Sequence, residues 1–422
     1  MTAVKAGTPA ILHFRMTRKI LFLAPTGQLG GAERCLVDAL WSFQKDYPEF
    51  QKTLIIGSDG HLAELARNEN TRVIVLPFPL RFASIGDSGL PHYQLFLFKL
   101  LWKMLLAGPA MLVYLFRLRR AIASQKPDVV HVLGLKMQIL SLLAVPRRVR
   151  IVWNVQDYIS LRPMVRRMMK ITMKTYGRGR KIAAGCCSDD VCKDLAIVFP
   201  RNEIEIIATI YNTIDTETFR PEGEKSAETQ KGNAITIGLV ATYARWKGQE
   251  LFIEALAKLN EAPALPAWHG WIIGGPIYAT AASQWTRDEI QEMLEKKKLA
   301  DQVSLMKFQP NPASVMRGLD ILVHASTKPE PFGRVIAEGQ ACGCAVVAVN
   351  SGGSAEVFED EVTGLGFAMG NADSLAEVLK KLLTESDIRK RIQKSAIVSG
   401  SGRFDRRGLS NKWIQLYYLN AT

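Results

Sequence analysis

Along this chain short apolar runs bounded by Gly, Pro or Asn alternate with longer stretches of helical periodicity. In the first half KILFLAP, TLIIGS, RVIVLP, DVVHVLG, RIVWNVQ, KIAAGCC and EIIATIYN read as strands, with a helix from about Gly31 and helical patterns over 93–124. Strands alternating with helices in this way predict βαβ units on a parallel sheet. The stretch before Asn233 is rich in Glu, Lys and Thr without an apolar period, so it reads as a linker. Beyond it the pattern restarts with AITIGLV, a helix over 249–259, GWIIGG, a helix over 287–297, then VSLMKF, DILVHA and AVVAVN. A Gly-rich turn after AVVAVN leads into a further helix at 354–358. The expectation is α/β: two Rossmann-like doubly wound domains at 1–214 and 234–402, a linker at 215–233, and a terminal helix at 403–422.

Length agrees, since 422 residues exceed what one core usually serves. Charge sharpens the picture because it is uneven: residues 1–214 hold 30 Lys+Arg against 15 Asp+Glu, and 215–422 hold 24 against 25, so +15 and −1 make the net +14. A basic half points to nucleic acid, an anionic membrane surface or an anionic substrate. Zinc-finger spacing and aromatic RNP-like segments are absent, so nucleic acid is not expected as a partner. The basic stretch 162–181 interleaves Arg166, Arg167, Lys170 and Lys174 with Met and Ile, and 93–106 carries Phe96, Phe98, Trp102 and two lysines. Both suit docking on a lipid surface. The longest apolar tract, 94–116, is interrupted by Lys99, Lys103 and Gly108-Pro109, which argues against a spanning helix. Residues 1–16 read as a loose extension without a secretory pattern. Six cysteines without metal or disulfide spacing read as reduced thiols of a cytoplasmic protein, peripheral at the inner face of the membrane.

Chemistry concentrates in EPFGRVIAE. Glu330 and Glu338 stand eight positions apart across a Pro-Phe-Gly turn, just after the strand DILVHA, so the turn sits at a strand's carboxyl end. The free N–H groups of Phe332, Gly333 and Arg334 at a helix start can take a diphosphate, and ionised carboxylates suit paired hydroxyls. Such a site binds a polyol and an anion together. The turn ARWKG after AITIGLV offers Lys247 and Arg245 to neutralise phosphate charge. Near the amino terminus, TGQLGGAE joins the first strand to its helix through Gly30 and Gly31, a phosphate- or sugar-tolerant turn that lacks the dinucleotide spacing.

DILVHAS, EPFGRVIAEGQACGCAVVA, GGSAEV and VTGLGF resemble the signature of glycosyltransferase family 4 (group 1), with weaker echoes at LGGAER, KPDVVH and YNTIDTETFRP. The resemblance implies a GT-B fold, with an acceptor-binding first domain, a nucleotide-sugar-binding second domain and a last helix crossing back to the first. It makes Glu330 the acid that meets the transferred sugar and Glu338 the one that holds the nucleotide ribose. It also implies transfer with retention. The family's usual Arg after the second domain's first strand is Thr242 here, and Gln156 stands where His is common. Asp157 and His131 join Gln156 as acceptor-side candidates. Metal-dependent glycosyltransfer uses an Asp-x-Asp pair; none occurs, so no metal or other cofactor is expected. The expected activity moves a hexose-type sugar from a nucleotide-sugar to a lipid-linked or cell-envelope glycan; the alternative is a non-catalytic glycan- or nucleotide-binding protein of the same fold.

Overall fold

A computed structural model of the chain describes residues 19–79, 93–199, 203–229, 232–262, 264–276 and 283–418, without the side chains of 93–107. The extension expected at 1–16 lies outside the described residues, as do the side chains of Phe96, Phe98 and Trp102.

Two parallel sheets organise everything else. The first runs β3-β2-β1-β4-β5-β6-β7, from β1 (Lys19–Ala24), β2 (Gln51–Ile56), β3 (Thr71–Val75), β4 (Val129–Leu133), β5 (Arg150–Val155), β6 (Ile182–Cys186) and β7 (Ile206–Thr209). The second runs β10-β9-β8-β11-β12-β13, from β8 (Ile235–Val240), β9 (Trp268–Gly274), β10 (Val303–Lys307), β11 (Ile321–His324), β12 (Ala345–Val349) and β13 (Leu365–Phe367). Every pairing between these strands is parallel, as the alternating pattern predicts. Strand order reverses between β1 and β4 in one sheet and between β8 and β11 in the other, and such reversals open a crevice at the strands' carboxyl ends. β13 carries no sequence signal, because three residues around Gly366 are too short to show a period.

The helices are α1 (Gly31–Asp46), α2 (His61–Asn68), α3 (Tyr93–Gln125), α4 (Leu135–Ala144), α5 (Pro163–Thr172), α6 (Asp189–Val198), α7 (Gln249–Glu261), α8 (Arg287–Lys296), α9 (Ala313–Arg317), α10 (Arg334–Cys342), α11 (Ala372–Thr384), α12 (Ser386–Arg403) and α13 (Leu409–Tyr417). The helix expected at 354–358 is instead a 3-10 turn over Gly352–Glu356, because two glycines at its start favour bends over a full α-turn. Burial follows the strands: Ile151, Val152, Trp153 and Val155 of β5 are closed to solvent, and each such side chain contributes about 1.5–3 kcal/mol.

The chain's return is well marked. Ile214 N–H donates to the Phe404 carbonyl at 2.7 Å, and α13 then packs on α1 and β6 of the first domain through Leu409, Trp413 and Leu416. Phe332 lies 2% exposed between Tyr211 and Phe404, with ring centroids 6.2 and 5.5 Å away, so the apolar core is continuous from one domain to the other.

Candidate active site

Two loops at the carboxyl edge of the second sheet meet here. Gly248, between Lys247 and α7, has φ +81°, and a Cβ there would stand 1.8 Å from the Ala325 carbonyl oxygen, so only glycine lets the β8 loop lie against the β11 loop. Thr327 N–H donates to the Trp246 carbonyl at 2.8 Å and ties the two together. Lys247 Nζ consequently reaches Glu330 Oε2 at 2.7 Å, with side chains only 20% and 12% exposed. Ser326 Oγ donates to the same oxygen at 2.9 Å, and His324 Nε2 lies 3.4 Å from it. Burial would raise the Glu330 pKa, but the Lys247 charge and the His324 contact hold its carboxyl far below the usual range.

Gly333, at φ +85°, is the N-cap of α10, so the unpaired N–H groups of the helix's first turn follow it directly. The Phe332 side chain serves the interdomain core, so its ligand-facing capacity is confined to the backbone. The Arg334 side chain reaches across to the first domain: Nη1 meets Asp38 Oδ2 of α1 at 2.7 Å, and Nε lies 3.4 Å from Glu338 Oε1. Glu338 is 8% exposed in the second turn of α10. Arg245 is occupied elsewhere too, paired with Glu289 at 3.0 Å with its guanidinium 3.7 Å over the Trp285 ring. Thr242 sits in the loop after β8, its carbonyl accepting Gln249 Nε2 at 2.7 Å.

The first domain faces these groups with the loop after β5. Tyr158 OH donates to Asp190 Oδ2 at 2.7 Å, accepts Gly353 N–H at 3.1 Å and lies 3.3 Å from the Glu330 carbonyl oxygen. Asp157 pairs with Arg162 at 2.6 Å; burial raises its pKa, Arg162 opposes that, and Glu330 across the cleft adds repulsion. The N–H groups of Asp189 and Asp190 at the start of α6 donate to the two oxygens of Glu356, each at 2.8 Å, so one domain's carboxylate caps the other domain's helix. His324, Ser326, Tyr158 and Glu356 carry no sequence signal of a role of their own, although DILVHAS and GGSAEV contain three of them.

Gly30, Gln156 and His131 are, like Asp157, engaged within the protein. Gly30 N–H donates to Glu33 Oε2 at 3.1 Å, while Gly31 has open space where a side chain would stand. Gln156 exchanges hydrogen bonds with Asn212 at 2.9 and 2.8 Å and donates to Asn154 Oδ1 at 2.7 Å. His131, expected on the acceptor side, is instead a core residue. It is fully buried in β4, its Nδ1 lies 2.7 Å from Tyr417 OH, Asn154 Nδ2 donates to its Nε2 at 3.2 Å, and Trp413 packs edge-on at 4.4 Å. A strand interior covered by α13 has no surface to offer a ligand.

Burial lowers the His131 pKa to about 3, against an unfolded value near 6.5. The unfolded chain thus binds a proton that the folded one refuses, and stability falls as pH drops from about 6.5, by about 1.4 kcal/mol per unit from this group. Urea unfolding at pH 7, 6 and 5 should show a flatter slope, by about one proton, in His131→Gln. An unchanged slope would remove His131 as a source of acid sensitivity.

Residues 222–398, which include Lys247, Glu330, Gly333 and Glu338, match the family model described as glycosyl transferases group 1. Among curated proteins, the chain is 29% identical over 188 residues to the N-acetylgalactosamine-N,N'-diacetylbacillosaminyl-diphospho-undecaprenol 4-alpha-N-acetylgalactosaminyltransferase of Campylobacter jejuni, covering 44% of this chain and 47% of that protein. It is 25% identical over 184 residues to the lipopolysaccharide core biosynthesis glycosyltransferase LpsE of Rhizobium meliloti, covering 44% and 50%. The chain thus spans about half the length of the curated relatives it matches. Among solved structures, Anabaena HepE with UDP and glucose superposes with TM-score 0.72 at 22% identity over 94% of this chain and 98% of that one, a likeness of fold.

Proposed function

We propose that this chain, whose residues 222–398 match the model of glycosyl transferases group 1, is a retaining, metal-independent glycosyltransferase. It moves a hexose-type sugar from a nucleotide-sugar to a lipid-linked or cell-envelope glycan. The observation that carries the reading is the Lys247–Glu330 pair, buried at a strand's carboxyl end beside the amide-rich start of α10.

Within this reading each group has one task. Glu330 accepts hydroxyls of the sugar and Glu338 those of the ribose, while Lys247 and the amides of Gly333 and Arg334 neutralise charge growing on the diphosphate as the sugar C–O bond to phosphate breaks. The acceptor hydroxyl forms the new C–O bond on the same face, and its proton passes to the departing phosphate oxygen. Support for an acceptor on lipid comes from the Campylobacter relative, whose name specifies a diphospho-undecaprenol substrate.

A thermal-shift screen of nucleotide-sugars identifies the donor, because a ligand at a hundredfold its Kd adds about 2.7 kcal/mol. With that donor, Glu338→Ala should raise KM while Glu330→Ala chiefly lowers kcat, since ribose contacts persist from ground to transition state and sugar contacts need not. Unchanged kinetics in both variants refutes the site. Binding without turnover in the wild type favours the non-catalytic alternative.

The basic half has a face suited to anionic lipid. Helices α3 and α5 both pack on α4, and on them Leu112, Val113, Phe116 and Ile171 are exposed beside Arg117, Arg119, Arg120, Arg166, Arg167 and Lys170. No helix among the described residues is long and apolar enough to cross a membrane. Each such cation contributes about 1 kcal/mol near an anionic surface. The chain should therefore cosediment with phosphatidylserine vesicles, less so as salt rises, and hardly at all when Arg166, Arg167 and Lys170 are all changed to Glu. Equal binding to neutral vesicles would show that this face is merely solvated.

A further inference from the structure

The groups around Glu330 divide its two oxygens unequally. Lys247 Nζ at 2.7 Å, Ser326 Oγ at 2.9 Å and His324 Nε2 at 3.4 Å all converge on Oε2, while Oε1 takes no hydrogen bond among the described residues. A carboxylate oxygen has two lone-pair sites, so Oε2 is saturated and the acceptor capacity of Oε1 is whole.

His324 is the least expected of the three. It ends β11 after Ile321, Leu322 and Val323 and is 4% exposed. Its Nε2 also lies 3.2 Å from Ser326 Oγ and 3.6 Å from where a Cβ on Gly333 would stand, so the ring wedges between the Glu330 loop and the start of α10. Glu330, being ionised, only accepts, and that requires a hydrogen on Nε2. Nδ1 is then left buried without a partner among the described residues. A polar group that breaks the ordinary rule of burial at such a place is expected where function, not stability, selects it.

We propose that His324 is a positioning residue for Glu330: with Ser326 it holds Oε2 so that Oε1 is presented to the transferred sugar. The inference rests on the reading of Glu330 as the sugar-contacting acid. His324 itself touches neither donor nor acceptor; it sets the orientation and ionisation of the group that does.

Two readouts on the full chain separate this from the function it serves. The first needs no donor. In ¹³C-carboxyl spectra at neutral pH, with Glu330 assigned by its absence in E330Q, His324→Leu should shift the Glu330 carboxyl resonance, and His324→Gln, which restores a donor, should shift it less. The second uses UDP-glucose, or whichever nucleotide-sugar stabilises the wild type. There His324→Leu should lower kcat about tenfold with KM within about threefold, His324→Gln should recover most of the loss, and His324→Leu should cost nothing further in an E330Q background. A kcat within twofold of wild type, or a rise in KM alone, overturns the proposal, as does a Gln variant no better than Leu. If no nucleotide-sugar is turned over by the wild type, the glycosyltransfer reading fails, and an unmoved Glu330 carboxyl resonance overturns the positioning role separately.

Discussion

Lys247→Ala is expected to lower kcat by about 10²–10³, the loss seen when one preorganised donor is taken from a site where negative charge develops. The ammonium is held between two partly buried loops and paired at 2.7 Å, so it supplies charge without having to be ordered first. The same activity should survive EDTA, because in the proposed mechanism Lys247 and the α10 amides carry the diphosphate. A second consequence distinguishes this cation from a structural one. Glu330 is strongly desolvated, and without Lys247 burial pushes its carboxyl upward. The pair's contribution to stability, present above the unfolded carboxyl pKa of about 4.3 and lost as pH falls through the depressed folded value, disappears with it. The variant should therefore recover part of its kcat as pH rises, while the wild type stays flat on that side. Full activity in Lys247→Ala, or abolition by EDTA with rescue by Mn²⁺, would refute the assignment.

The largest stability effect is expected at Asp38. Its carboxylate, 6% exposed, meets Arg334 at 2.7 Å across the domain boundary and lies 3.9 Å from Arg406, which also holds Asp215 at 2.9 Å. Burial alone would lower the Arg334 pKa, and the Asp38 and Glu338 charges reverse that, so the guanidinium stays charged inside the protein. Asp38→Ala leaves that charge only the longer 3.4 Å contact to Glu338 and should cost about 3 kcal/mol, seen as an earlier urea midpoint. Replacing the pair together, Asp38→Leu with Arg334→Met, should restore most of the loss, because two packed apolar groups avoid the desolvation that the pair overcomes. A midpoint in Asp38→Ala equal to wild type would show that water already screens the pair.

What could be read without the structure is what local rules control. Apolar runs at strand length separated by helical periods specify parallel sheets, since residues such as Ile151 to Val155 can be buried only between helical layers. The turn at Gly333 is legible because Pro-Phe-Gly must end a strand and open a helix, and that placed Glu330 and the α10 amides together. Lys247 was recognisable as a cation in the matching loop of the neighbouring strand. Lengths below a few residues carry no period, which is why β13 and the 3-10 turn at Gly352–Glu356 escaped.

The rest depended on how the chain returns upon itself. Arg334 and Arg245 look alike as cations beside a phosphate site, yet one crosses 296 positions to Asp38 and the other turns to Trp285 and Glu289, choices made by which helix packs opposite. His131 became a core residue because α13, 286 positions later, lays Tyr417 and Trp413 over it. His324, by contrast, reads as one more buried strand residue until the loops close around Glu330 and saturate a single carboxylate oxygen. Backbone preference is a property of neighbours in sequence, whereas the partner of a buried charge or imidazole is a property of neighbours in space, and only the tertiary structure supplies those.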